Sequence, residues 1–213
     1  SADVDENKAS AGQINAELAS TVLPRLMQQF PGLKWRFAGE QRERNESLGT
    51  LKTNFAIALL AIYALLAIQF RSYSQPAIVM SAIPFGIVGA ALGHLVMGFN
   101  LSILSLFGIV ALAGVVVNDS LIMIDLINRE RTEESNLTEV LRDCATRRFR
   151  PIMLTTLTTF FGLLPMITER SLQARFLIPM AISLAFGVMF ATCITLILVP
   201  SLYMILEDVK SRL

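Results

Sequence analysis

Residues 101–128 read LSILSLFGIVALAGVVVNDSLIMIDLIN, with no Asp, Glu, Lys or Arg before Asp119. So long an uncharged apolar run predicts a helix that crosses a hydrocarbon layer, a task needing about 20 apolar residues; a buried strand ends after about 4–8. Working outward, residues 56–66, 77–93 and 177–206 also lack Lys and Arg. Of the 213 residues, 54% are hydrophobic and 16% charged, against roughly 25% charged in ordinary soluble domains. The expectation is an all-α integral membrane helix bundle of five transmembrane helices, with spans at about 53–70, 76–98, 101–128, 151–167 and 176–206.

Composition also excludes function classes. A net charge of +1 supplies no basic surface for nucleic acid, since most Arg residues flank apolar segments and form no single stripe. Cys144 falls in a charged stretch and Cys193 in an apolar one, so neither a disulfide nor a CxxC metal site is expected. There is no nucleophile elbow, P-loop or metal-ligand spacing, which argues against an enzyme or an ATP-driven pump and for no cofactor.

The first 47 residues are soluble in character. Ile14, Leu18, Val22, Leu26 and Phe30 recur at a strict i+4 step, predicting an amphipathic helix over 13–30, ended by Pro31-Gly32. Leu33-Lys34-Trp35-Arg36-Phe37 alternates like a half-buried strand. One helix and one strand enclose no core, so this piece is expected to pack on something else. The opening Ser1-Ala2-Asp3-Val4-Asp5-Glu6 has neither basic nor apolar leader, and the chain is expected to be a piece of a longer one.

In the second span, Pro84 predicts a kink, and Gly86, Gly89 and Gly93 line a small-residue stripe for close helix packing. Between the third and fourth spans, Leu137, Val140, Leu141 and Cys144 recur at helical spacing among charges. That pattern predicts an amphipathic helix over about 136–147 lying at the membrane surface, N-capped by Asn136. The fifth span is expected to be interrupted by Pro179 and Pro200.

Cation placement sets orientation. Arg71, the stretch with Arg129, Arg131, Arg142, Arg147, Arg148 and Arg150, and the tail with Lys210 and Arg212 collect on one side. The opposite short loops hold only Arg170 and Arg175. The cation-rich side is therefore cytoplasmic, the C-terminus with it, and five spans leave the N-terminal piece outside.

An ionisable group inside a membrane helix costs ~2.5–3.5 kcal/mol on insertion scales, so Asp119 is presumed functional. It lies about 15 Å along the helix from Arg129, near mid-membrane, between Asn118 and Ser120. Thr155, Thr156, Thr158 and Thr159 form a hydroxyl cluster on the next span, entering from the same side and able to meet Asp119 at similar depth. Asp119 is read as taking up and releasing a proton; the alternative is a protonated or hydrogen-bonded carboxyl that holds helices together. Asp125 is expected to pair with an Arg at the cytoplasmic edge, and His94 to be a satisfied interfacial histidine.

Gly114-Val115-Val116-Val117-Asn118-Asp119-Ser120-Leu121-Ile122-Met123-Ile124-Asp125, followed by Arg148-Phe149-Arg150-Pro151-Ile152-Met153-Leu154-Thr155-Thr156, resembles the resistance-nodulation-cell division (RND) exporters of Gram-negative bacteria, AcrB type. The resemblance covers almost the whole chain. It implies that residues 1–47 are the α+β end of a periplasmic porter subdomain and that 48–213 carry the last five of twelve spans. It also implies a homotrimeric, proton-driven inner-membrane antiporter of drugs or amphiphiles, working with a periplasmic adaptor and an outer-membrane channel. In that family a lysine on the matching helix pairs with aspartates of the first half. Here Asn118 holds the lysine's position, followed by Asp119, so the lysine role does not carry over; the threonine role maps onto Thr155. Such a fragment should not transport alone. The readings kept beside this one are a non-transporting membrane scaffold and a protein-export accessory subunit of the same superfamily.

Overall fold

The computed structural model describes residues 17–30, 40–131, 136–169, 171 and 176–212. The chain divides into two compact units, Ser1–Thr53 and Asn54–Leu213.

In the first unit a wide π-helical turn over Leu18–Val22, closed by the Leu23 N–H on the Leu18 carbonyl, leads into α1 (Leu23–Gln29). A strict i+4 step drifts around a regular α-helix of 3.6 residues per turn, and a wider turn reduces that drift. The predicted amphipathic helix is thus two pieces where it is described, with Pro24 in the first turn of α1. The strand at 33–37 lies outside the described residues.

Helix α2 (Glu40–Phe70) runs on into the second unit. Within that unit Leu66 is buried, while Ile57, Leu60, Leu65 and Ile68 are exposed. The second span is broken: α3 (Ser74–Met80) and α4 (Ile83–Met97) meet at a turn, with Pro84 in the first turn of α4. A proline cannot continue the preceding ladder but fits a helix start, so the expected kink is a break at Ser81–Ala82 and a restart at Ile83. Helix α4 ends on Gly98 in the left-handed region (φ 69°), where a side chain would be strained.

Helix α5 (Ile103–Glu130) opens with a reciprocal capping box between Ser102 and Ser105. Helix α6 (Leu137–Thr168) starts at Asn136, whose side chain accepts the Thr138 N–H. Here the structure corrects the sequence reading: the surface helix at 136–147 is no separate element but the first turns of α6, continuous through Pro151. Leu141, Cys144 and Ile152 are buried in one cluster with Ile124 and Ile127 of α5, so the apolar face is covered by the bundle. Its 32 residues span about 48 Å, well beyond a hydrocarbon layer of about 30 Å. Helix α7 (Ile178–Arg212) holds Pro179 in its first turn, where proline is tolerated, so only Pro200 lies in its interior.

Among the described residues five helices are long and apolar enough to cross a membrane, at Glu46–Phe70, Ser74–Met97, Ile103–Glu130, Leu137–Thr168 and Ile178–Lys210, and there is no strand. Helix α7 packs on α4, α5 and α6 more extensively than these pack on one another. Glycines permit it. A Cβ on Gly93 would sit 2.5 Å from the Phe186 Cβ, one on Gly108 2.5 Å from the Met180 carbonyl, and one on Gly89 would collide with Phe190. Close approach of this kind supplies the packing that holds helices together in lipid.

Candidate functional site

Asp119 sits on the buried face of α5, one turn from Val116 and one from Met123, both buried. Its own exposure is 8%, and no side chain among the described residues bonds or pairs with its carboxyl group. Ser120, fully buried, has a hydroxyl without a partner among the described residues. Asn118 points the other way and is exposed, on the face that also carries Gly114 and Ala111. The polar triplet is thus split by helix geometry: neighbours 100° apart serve different faces.

The threonines of α6 divide in the same manner. Thr155 and Thr158 are exposed and Thr159 half-buried, and their hydroxyls turn back to carbonyls of their own helix, at 2.9 Å to Pro151, 2.9 Å to Leu154 and 2.8 Å to Thr155 respectively. None of the three is bonded to Asp119. The inward hydroxyl is that of Thr156, which hydrogen-bonds Thr192 of α7 at 2.8 Å in a buried pair. Thr192 and Thr195, an i,i+3 pair inside the apolar α7, were legible in the sequence as a second hydroxyl step but not singled out. Thr195 is buried, with no partner for its hydroxyl among the described residues.

A second polar group lies at the Arg131 end of α5. Gln75 and Asn128 exchange two amide bonds of 3.0 Å, and the Tyr203 hydroxyl donates to Asn128 Oδ1 at 2.9 Å. Arg131 forks onto both carboxylate oxygens of Glu207, and that hydrogen-bonded contact is the main cause holding its guanidinium above the usual arginine pKa. Asp125 pairs with Arg129 at 2.9 Å and Glu130 with Arg147 at 3.1 Å. A cleft of about 630 Å³ opens beside this group, lined by Arg71, Gln75, Asp125, Asn128, Tyr203 and Glu207 among others; Asp119 does not line it.

At the opposite end His94, 3% exposed, is fully engaged. Its Nδ1–H donates to the Ala90 carbonyl at 3.0 Å and its Nε2 accepts from the Ser105 hydroxyl at 2.8 Å. A carbonyl only accepts, which fixes this tautomer. Ser105 in turn accepts the Ser102 N–H at 3.0 Å, tying the α4 terminus to the α5 cap.

These features can be set beside known proteins. The multidrug resistance protein MdtC of Proteus mirabilis (strain HI4320) is 29% identical over 177 residues, which are 83% of this chain and 17% of that protein. A solved heavy metal efflux pump superposes with a TM-score of 0.75 at 25% identity, covering 92% of this chain and 19% of the pump. A second crystal form of such a pump gives 0.69 at 24% identity, over 90% and 19%, and speaks to the fold alone. The chain thus spans less than a fifth of the length of these relatives. The profile of the AcrB/AcrD/AcrF family matches residues 1–207, more than nine-tenths of the sequence, and the chain belongs to that family of efflux transporters.

Proposed function

We propose that this chain is the C-terminal part of a proton-driven RND exporter of drugs or amphiphiles in a bacterial inner membrane, and that Asp119 takes up and releases the coupling proton. The observation that carries the reading is a buried carboxyl group deep in an apolar helix, with no cation beside it among the described residues. Such a group is too costly to retain without a role, and its charge is met by a proton or by the rest of the transporter. The open face bearing Asn118 presents a side-chain amide where lipid would be a poor neighbour, whereas the Thr155 and Thr158 hydroxyls are already bonded to carbonyls of their own helix; the amide supports that face being covered by further helices of the complete transporter. With those helices absent, the chain is inactive alone. The N-terminal unit is periplasmic and the C-terminus cytoplasmic; the complete protein is a homotrimer joined to an adaptor and an outer-membrane channel.

A second reading, export of metal cations, is favoured by the likeness to a heavy metal efflux pump. Transport by the full-length protein separates them. Asp119→Asn is expected to abolish proton-coupled drug export while the protein still inserts. Wild-type export in that variant removes the proton role, and dependence of export on a metal cation in place of an amphiphile selects the second reading.

A further inference from the structure

Among the described residues three buried hydroxyls lack a partner: Ser183 lies beside Gly108, and the other two, Ser120 and Thr195, lie near the level of Asp119. Helices α5 and α7 keep a constant register: Leu112 meets Gly187, Asn128 meets Tyr203 and Arg131 meets Glu207. The same register sets Asp119 and Ser120 level with Ile194 and Thr195. Ser120 is 0% and Thr195 3% exposed, and neither hydroxyl finds a hydrogen-bond partner among the described residues. Beside Thr195, Pro200 lacks the amide that would bond the Leu196 carbonyl, so the helix ladder offers a further acceptor at this level. One turn away on α7, Thr192 bonds Thr156 of α6. In a membrane interior, polar groups freed in this way are satisfied by neighbouring side chains or by ordered water. A polar site with several donors and acceptors holds water, whereas apolar voids stay dry.

We propose that the α5–α7 seam holds ordered water bridging the Ser120 and Thr195 hydroxyls to the Asp119 carboxyl group, with Thr195 as the residue that positions it. The inference rests on the proton role of Asp119. In uptake, the water gives a proton to a carboxylate oxygen as it takes one from the Thr195 hydroxyl, which is reprotonated in the same step by a proton arriving from bulk water, so that the water and the hydroxyl end unchanged and only the carboxylate gains a proton; release runs the same exchange backwards. Proton access to Asp119 then runs through this half of the transporter, and the open Asn118 face is not its only approach.

The test uses the full-length transporter. A density map fine enough to show ordered water should place one within hydrogen-bond reach of Ser120 Oγ and Thr195 Oγ1. Thr195→Val should empty that position and Thr195→Ser keep it. Transport by Thr195→Val should fall in kcat about five- to tenfold, one hydrogen bond's worth in the barrier, with KM unchanged and Thr195→Ser restoring the rate. Ser120→Ala, a smaller change, should lower kcat in the same sense if Thr195→Val fails to fold. A dry seam with the two hydroxyls bonded to each other, or wild-type kcat in the folded variants, overturns the proposal. Normal transport by Asp119→Asn overturns the proton role while leaving the water density in place, so the two failures are told apart.

Discussion

The Tyr203 hydroxyl donates to Asn128 Oδ1 at 2.9 Å, and the same oxygen accepts the Gln75 amide at 3.0 Å, so one asparagine joins α3, α5 and α7. The joint also brings the start of the broken second span to the central helix. Its two bonds are not equivalent. Tyr203→Phe leaves Asn128 Oδ1 with Gln75 and should cost about 1 kcal/mol, whereas Gln75→Leu strips both amide bonds and leaves a part-buried Asn128 donor unmet, at about 1–3 kcal/mol. Thermal unfolding of the two variants in detergent checks the order; a larger loss for Tyr203→Phe contradicts it.

The Thr156–Thr192 pair should show coupling. Each single change to Val strands the partner hydroxyl, while the double change strands none, so a double-mutant cycle should give an interaction of about 1 kcal/mol. Strict additivity of the two substitutions would mean that the pair contributes nothing.

Gly108 and Gly49 should respond oppositely to alanine. At Gly108 the new Cβ meets backbone, the Met180 carbonyl at 2.5 Å, so α7 must shift, at about 1–3 kcal/mol. Among the described residues Gly49 has open space around it within α2, and alanine there should gain up to about 1 kcal/mol of helix propensity. Melting temperatures of the two variants moving in the same direction would refute the contrast.

Arg131 and Glu207 are partly exposed, so their ion pair should contribute no more than about 1 kcal/mol and should weaken with salt. Glu207→Gln should therefore lower stability slightly at low ionic strength and hardly at all at high ionic strength. Stability curves of the variant at two salt concentrations decide the matter.

The membrane spans were legible because burial in lipid leaves a long, one-dimensional mark: an uncharged run needs no tertiary knowledge to be read. Asp119 stood out for the same reason. Which face each polar residue serves was less visible. Asn118 and Asp119 are adjacent in sequence and divergent in space, and of the four threonines clustered at 155–159 in α6 the inward one, Thr156, is not the one favoured by resemblance. Facing depends on where α7 packs, and that is set by glycines such as Gly93 and Gly108 meeting Phe186 and Met180, residues of a helix far along the chain. The charged half of α6 read as a membrane-surface helix because amphipathicity states that a face is covered without naming the cover.

Helix α7 touches each of three neighbours more extensively than they touch one another. In mechanical terms it is the axle of this half and α4, α5 and α6 are its spokes. A shift of α7 therefore disturbs all three neighbours at once, whereas a shift of α4, α5 or α6 is felt mainly at α7, and the glycine contacts along α4 and α5 are the places where it is felt at shortest range.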